Sequence, residues 1–265
     1  MKAANLEREA DHHDRWASRI DPADVEVDGT FETPSCPENI FILKHVGDLR
    51  GARVLELGTG LGEGATFFAK RGASAFASDI SIGMLKLAQS VGRCHRVGFT
   101  GTLTDAGRLS FASNSFDVVY AANLLHHVDV RRCVSEVHRV LKPGGRAAFW
   151  DPMRYNTVIN IYRKMASQVR TEDEHPLGID DIDFVRRLFT KVSFRTFGLV
   201  TLGVFLKFYF IDLVHPNEER YWKKVVTDYP SFRSYFRVFS AIDNVLLRLP
   251  GVRWLAWNVA LVGTK

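Results

Sequence analysis

Three glycines at alternate positions, Gly58, Gly60 and Gly62, follow the apolar run Val54, Leu55 and Leu57, with Glu56 set into its end. Glycines so spaced remove the Cβ atoms that would block a ligand from lying on bare backbone. A helix opening near Glu63 would aim its unpaired N–H groups at the same crevice. Strand, glycine turn and helix in that order most often hold a nucleotide. Two carboxylates narrow the choice. The dinucleotide fingerprint wants glycine at the sixth position of the run, where this chain has Glu63, and a carboxylate sits badly beside a pyrophosphate. Asp79 ends the next apolar stretch, 21 residues after Gly58, where an acid can hold both hydroxyls of a ribose. Together they point to a nucleoside without phosphates and away from NAD and FAD.

Positioning these residues requires a shared edge, and the pattern around them supplies one. Strands are expected near 53–57, 74–78, 97–102, 117–122 and 145–150, with helices near 63–71, 81–91 and 131–141. Such alternation predicts an α/β fold, a Rossmann-like, doubly wound, mostly parallel sheet whose ligands collect at the carboxyl ends of the strands. Glu56, Gly58, Asp79, Asp105, Asn123 and Asp151 all fall at that edge. Upstream, Ser35 and Glu38 fit a capping box for a helix through Val46, with Pro37 in its first turn. Leu141-Lys142-Pro143-Gly144-Gly145 reads as a helix stop and turn.

The motifs Glu56-Leu57-Gly58-Thr59-Gly60-Leu61-Gly62, Asp79, Asp105, Ser115-Phe116-Asp117-Val118-Val119-Tyr120 and Leu141-Lys142-Pro143-Gly144-Gly145, in this order and spacing, resemble the class I S-adenosylmethionine-dependent methyltransferases. The resemblance covers residues 50–152 and implies an enzyme that uses S-adenosylmethionine. It implies further that the methionine part of the cofactor lies over Gly58, Thr59 and Gly60 with Glu56 orienting its ammonium, and that Asp79 holds the ribose. Ile80 and Met84 would pack on the ribose and adenine, Asp105 and the Ala106 N–H would meet the adenine edge, and Asn123 closes the cofactor set. His126 and His127, just past the fourth strand, border the reacting methyl in related folds, and a neutral imidazole accepts a proton near pH 7. Leu109-Ser110-Phe111 with Ser115-Phe116-Asp117-Val118-Val119 also resembles the quinone and sterol methylating branch, a likeness in the cofactor half that says little about the acceptor; the acceptor expected is small, apolar or lipid-like and methylated at oxygen or carbon. Sugar or polyketide acceptors, and a regulator or assembly factor that binds the cofactor without turnover, are the alternatives.

The rest of the chain is less explicit. A lid over residues 1–50, a cofactor-binding core over 51–152, and a substrate cap with the final strands over 153–265 are the expected divisions. Residues 5–30 read as a polar helix anchored by Trp16 and an irregular crossing segment; the other reading turns His12, His13 and Trp16 to the substrate. A helix over 158–169 should precede the segment from Arg170 to Pro176, and another helix is expected near 179–188. Within that segment Glu174 and His175 read as a surface loop, since adjacent residues chelate a metal poorly, so no metal is expected. Strands near 191–199 and 257–262 should lie side by side, with about fifty residues inserted where relatives have a short hairpin.

Residues 201–265 carry nine Lys/Arg against five Asp/Glu and 13 of the 31 aromatics, and the insertion within them, 200–250, is where the acceptor should be chosen. Its interleaved aromatic and basic residues suit a helical cap, an apolar tunnel or peripheral contact with a membrane; Lys207 and Asp212 interrupt its apolar run and argue against a transmembrane helix. The net charge of +5, without a long basic block, excludes a nucleic-acid arm. Cys36, Cys94 and Cys133 show neither paired nor metal-like spacing, and residues 1–14 lack the apolar core of a signal peptide, so a cytoplasmic home is expected.

Overall fold

In a computed structural model, which describes residues 3–166 and 174–265, the expected alternation becomes a sheet wound on both faces. In chain order the elements are α1 (Ala3–Ala17), α2 (Asp28–Glu32), α3 (Pro37–Val46), β1 (Arg53–Leu57), α4 (Glu63–Lys70), β2 (Ser74–Asp79), α5 (Ile82–Cys94), β3 (Thr100–Leu103), β4 (Phe116–Ala122), α6 (Val130–Val140) and β5 (Leu141–Pro152). There follow α7 (Thr157–Met165), α8 (Ile179–Leu188), β6 (Thr190–Phe197), α9 (Gly203–Phe210), α10 (Tyr221–Thr227), α11 (Tyr229–Leu246) and β7 (Asn258–Thr264). The seven strands run in the order β3-β2-β1-β4-β5-β7-β6; β1 to β5 are parallel, and β7 lies antiparallel between β5 and β6.

Strand periodicity sorts the core. Along β4, Val118 and Tyr120 join Val54, Phe67, Phe68 and Met84 under α1, α3, α4 and α5. Val119 and Ala121 join Leu55, Leu57 and Phe149 on the opposite face, under α6 and α8. A third apolar cluster, including Tyr162, Phe205, Phe208, Tyr221 and Phe232, holds α7, α9, α10 and α11 together as a cap, with α9 to α11 inserted between β6 and β7. Among the described residues no helix is long and apolar enough to cross a membrane.

Two local expectations differ from what is found. Ser35 does not cap α3: its hydroxyl donates to Val225 O at 2.6 Å, while Glu38 accepts from Asn258 Nδ2 at 2.8 Å. Tertiary partners outcompete the local box. The helix stop stands, with α6 ending at Val140, but the Leu141–Gly145 turn lies within β5: Leu141 already pairs with Phe116, and the register resumes at Val118 with Arg146, leaving residues 142–145 opposite Asp117 alone. Gly144, at φ 79°, supplies the left-handed residue of this turn. Of the segment from Arg170 to Pro176, residues 170–173 lie outside the described residues, as does the expected helix beyond Ala166.

Candidate active site

The carboxyl edge of β1 to β4 forms one half of a cavity lined by Glu56, Gly58, Thr59, Gly60, Asp79, Ile80, Asp105, Ala106 and Asn123. The glycine run makes this possible. Gly62, at φ 85°, lies so close to α5 that an added Cβ would come within 2.5 Å of Ala88 Cβ. At Gly60 an added Cβ would meet only Gly58 O, at 4.0 Å, so its backbone faces open space. Asp79 ties the loop to the next helix, accepting from Gly60 N at 3.1 Å and Ser81 N at 2.9 Å; burial raises its carboxyl above the usual range against these bonds. Asp105 also closes its own turn, accepting from Gly107 N at 2.8 Å.

Glu56 lines the cavity but directs its carboxylate at the start of α4, accepting from Ala65 N at 2.8 Å and Thr59 Oγ1 at 2.6 Å. Burial pushes it up to about 8 against those hydrogen bonds. A Cβ on Gly64 would overlap this carboxylate, so the helix must open on glycine there. Met84 is a correction to the sequence reading. It is wholly buried in the core beneath α5 and does not line the cavity, because the 3.6-residue period turns it inward.

Past β4 the chain turns through left-handed Asn123, at φ 51°, into a short 3₁₀ turn, Leu125–His127. His126 and His127 both line the cavity. Asp151, fully buried behind them, accepts from His126 Nδ1 at 2.6 Å, His126 N at 3.1 Å and Leu125 N at 3.1 Å. Burial pushes Asp151 up to about 7, with the two backbone donors holding it down. His127 Nδ1 lies 3.0 Å from Glu9 Oε1, which also meets His13 Nε2 at 3.3 Å. Burial would raise Glu9, but the hydrogen bonds from His127 and His13 outweigh it and keep this carboxylate well below its usual range.

α1 is therefore more than a polar helix on one anchor. His12, His13 and Trp16 line the cavity, and Asp14 fixes α1 at the start of α5 by accepting from Ser81 Oγ and from Gly83 N at 2.9 Å. Glu174 is likewise no surface loop: it lines the cavity and pairs with Arg163 at 2.8 Å, while His175 N donates to His126 O at 2.7 Å. Possible ligand atoms of His126, His127 and Glu174 lie within 4.8 Å of one another, a set able to approach a metal. Each already has a partner of opposite or complementary charge in Asp151, Glu9 and Arg163.

The other half of the cavity is roofed by the cap. Phe31, Ile159, Tyr162, Val225, Val226 and Trp257 give it an apolar lining, and Glu63 at the glycine turn is ion-paired to Lys223 of α10. Glu9, Glu38, Asn258 and Arg163 escape sequence reasoning because their partners are remote; only the i, i+4 spacing of Glu9 and His13 was available as a signal.

A family model described as a methyltransferase domain matches residues 55–149, the stretch that builds the glycine turn, Asp79, Asp105 and the histidine turn. Over residues 55–149 the chain thus carries a methyltransferase domain, in line with its resemblance to the class I S-adenosylmethionine-dependent methyltransferases. The open backbone of Gly60 beside the Asp79 carboxylate fits a nucleoside cofactor. The demethylmenaquinone methyltransferase of Thermobifida fusca is 42% identical over 98 residues, 36% of this chain and 42% of that protein. The phosphoethanolamine N-methyltransferase 2 of Caenorhabditis elegans is 35% identical over 117 residues, 41% of this chain and 26% of that protein. The chain thus matches less than half the length of either relative. A solved phosphoethanolamine N-methyltransferase 2 of Haemonchus contortus, in complex with phosphomonomethylethanolamine and S-adenosylhomocysteine, shares the fold. Its TM-score is 0.56 at 21% identity, over 86% of this chain and 52% of that chain.

Proposed function

We propose that this methyltransferase transfers a methyl group to an oxygen or carbon of a small, largely apolar acceptor, with His126 taking the acceptor's proton. One observation carries the reading: the buried 2.6 Å hydrogen bond from His126 Nδ1 to Asp151, in a cavity with a nucleoside-type crevice on one side and an apolar cap on the other. In this reading Gly58, Thr59 and Gly60 bear the methionine part of the cofactor, and Glu56 keeps their loop in shape. Asp79 takes the ribose hydroxyls, Ile80 packs on the ribose and adenine, Asp105 and the Ala106 N–H meet the adenine edge, and Asn123 borders the reacting end.

When bound, S-adenosylmethionine supplies an electrophilic methyl on a sulfonium that leaves as a neutral thioether. The chain then has to align, exclude water and move one proton. Asp151 fixes His126 with its proton on Nδ1, which makes Nε2 the basic nitrogen. As the acceptor's O–H or C–H bond gives up its electron pair to the methyl carbon, that proton passes to Nε2. Glu9 holds His127 beside it, their imidazole rings 4.1 Å apart, and joins α1 to the site as a lid.

The test is to incubate the protein with methyl-labelled cofactor and extract of its source cells, then to partition the products. Label in the organic phase is expected; label confined to water overturns the apolar acceptor. His126→Ala should cut transfer about a hundredfold or more while S-adenosylhomocysteine binds as before, and unchanged transfer removes the base.

A further inference from the structure

The wall of the acceptor half carries two polar groups that the proposed chemistry does not use. Glu38 stands in the first turn of α3, and Asn258 opens β7; both are buried, and both line the cavity. Asn258 pairs across the sheet with Pro152, the residue after the Asp151 that holds His126. It therefore lies on the same sheet end as the reacting group.

The polar network next to it is closed. Trp150 Nε1 donates to Tyr120 OH at 3.0 Å, Tyr120 OH donates to Asn39 Oδ1 at 2.7 Å, and Asn39 Nδ2 donates to Thr30 O at 2.8 Å. At Asn258 the chain of bonds stops short. Its Nδ2 donates to Glu38 Oε1 at 2.8 Å, but its Oδ1 is buried with no partner. A buried acceptor without a donor is costly, and native proteins keep few of them outside functional sites. Because the amide is fastened through Nδ2, Oδ1 has a fixed orientation in a wall that also carries Phe31, Ile159, Val225, Val226 and Trp257. A largely apolar pocket with a few fixed polar atoms uses them to orient its ligand.

We propose that Asn258 Oδ1, positioned by Glu38, is a specificity-determining subsite that accepts a hydrogen bond from a hydroxyl group of an otherwise apolar acceptor. The hydroxyl is a second polar group of that molecule, distinct from the atom that receives the methyl. This inference rests on the acceptor half proposed above, and its test is made by binding so that the two can fail separately.

The probes are 1-naphthol and naphthalene, which differ by one hydroxyl, titrated onto the protein saturated with S-adenosylhomocysteine. Trp150, Trp222 and Trp257 line the cavity, so quenching of tryptophan fluorescence reads occupancy without turnover. The wild type should bind 1-naphthol about tenfold or more tighter than naphthalene, because only the hydroxyl satisfies the orphaned oxygen. Asn258→Leu should bind the two probes equally. Glu38→Gln keeps an oxygen for Asn258 Nδ2 and should retain the preference, which guards against misreading a misfolded Asn258→Leu. His126→Ala should also retain it, showing that the hydroxyl is not held by the base.

Equal binding of both probes to the wild type, binding of neither, or a preference that survives Asn258→Leu but disappears in His126→Ala would each overturn the subsite. Preserved probe discrimination in a protein that transfers no methyl would instead refute the catalytic reading and leave the subsite standing.

Discussion

Replacing Asp151 by asparagine tests the histidine turn with almost no change in volume. Three donors, Leu125 N, His126 N and His126 Nδ1, converge on its two carboxylate oxygens. An amide offers one oxygen and adds N–H donors of its own, so at least one buried donor loses its partner. That loss is worth about 1–3 kcal/mol, or roughly 2–10 °C in melting temperature for a chain of this size. A second term opposes it, since the amide also escapes the cost of ionising a buried carboxyl that titrates near 7. That cost builds up between the unfolded value near 3.8 and the folded value near 7, so melting should be compared at pH 4, where it is small. The larger effect is on turnover. If the amide N–H faces the ring, His126 adopts the other tautomer, with its proton on Nε2, and can no longer accept one from the acceptor. Transfer should fall about a hundredfold or more, read as kcat with labelled cofactor, while S-adenosylhomocysteine affinity by calorimetry stays within about threefold. Wild-type kcat in a variant that still loses melting temperature would refute the orienting role and leave Asp151 as a purely structural cap of the turn.

Asp79→Ala removes the acceptor for Gly60 N and Ser81 N together with the proposed ribose ligand, and should weaken S-adenosylhomocysteine about tenfold or more; unchanged affinity in calorimetry would discard the ribose assignment. Glu38→Gln should raise stability only at higher pH. Burial raises the folded Glu38 carboxyl to about 7, so the native state keeps a proton that the unfolded chain releases above pH 4.5, and wild-type stability falls as pH rises through 7. The variant should gain up to about 3 kcal/mol at pH 8 and nothing at pH 4; parallel melting curves at both pH values would contradict it. Gly62→Ala places a Cβ 2.5 Å from Ala88 Cβ at φ 85°, and should cost about 2 kcal/mol or more in urea unfolding, where an unchanged midpoint would show that α4 and α5 can separate freely.

The half of the cavity built on the glycine turn was legible because its physics is local. A strand, a glycine turn and a helix place Glu56, Gly58, Gly60 and Asp79 by backbone geometry alone, and β1 runs from Arg53 to Leu57 as the apolar run suggests. Met84 was misplaced because a residue one turn into α5 was assigned to the cavity, while the period of the helix sends it to the core. Ser35 and Glu38 matched a capping pattern, yet both side chains are taken by tertiary partners, Val225 O and Asn258, the second 220 positions along the chain. Glu174 looked like part of a surface loop because nothing in sequence announces that Arg163 will hold it within the cavity.

The failures share a cause that bears on function. The chain matches, over 98 and 117 residues, proteins named for demethylmenaquinone and for phosphoethanolamine, acceptors of very different polarity. Likeness to both cannot by itself decide the acceptor. The polar groups of the proposed acceptor half, among them Glu38, Asn258, Arg163 and Glu174, lie outside the segment 55–149 matched by the family model and are fixed by pairs between separate elements. Acceptor choice should then be separable from cofactor affinity: substitutions at these pairs should alter which molecules are methylated while leaving S-adenosylhomocysteine binding intact. The reverse should hold at Asp79, whose hydrogen-bond partners lie wholly within the matched segment.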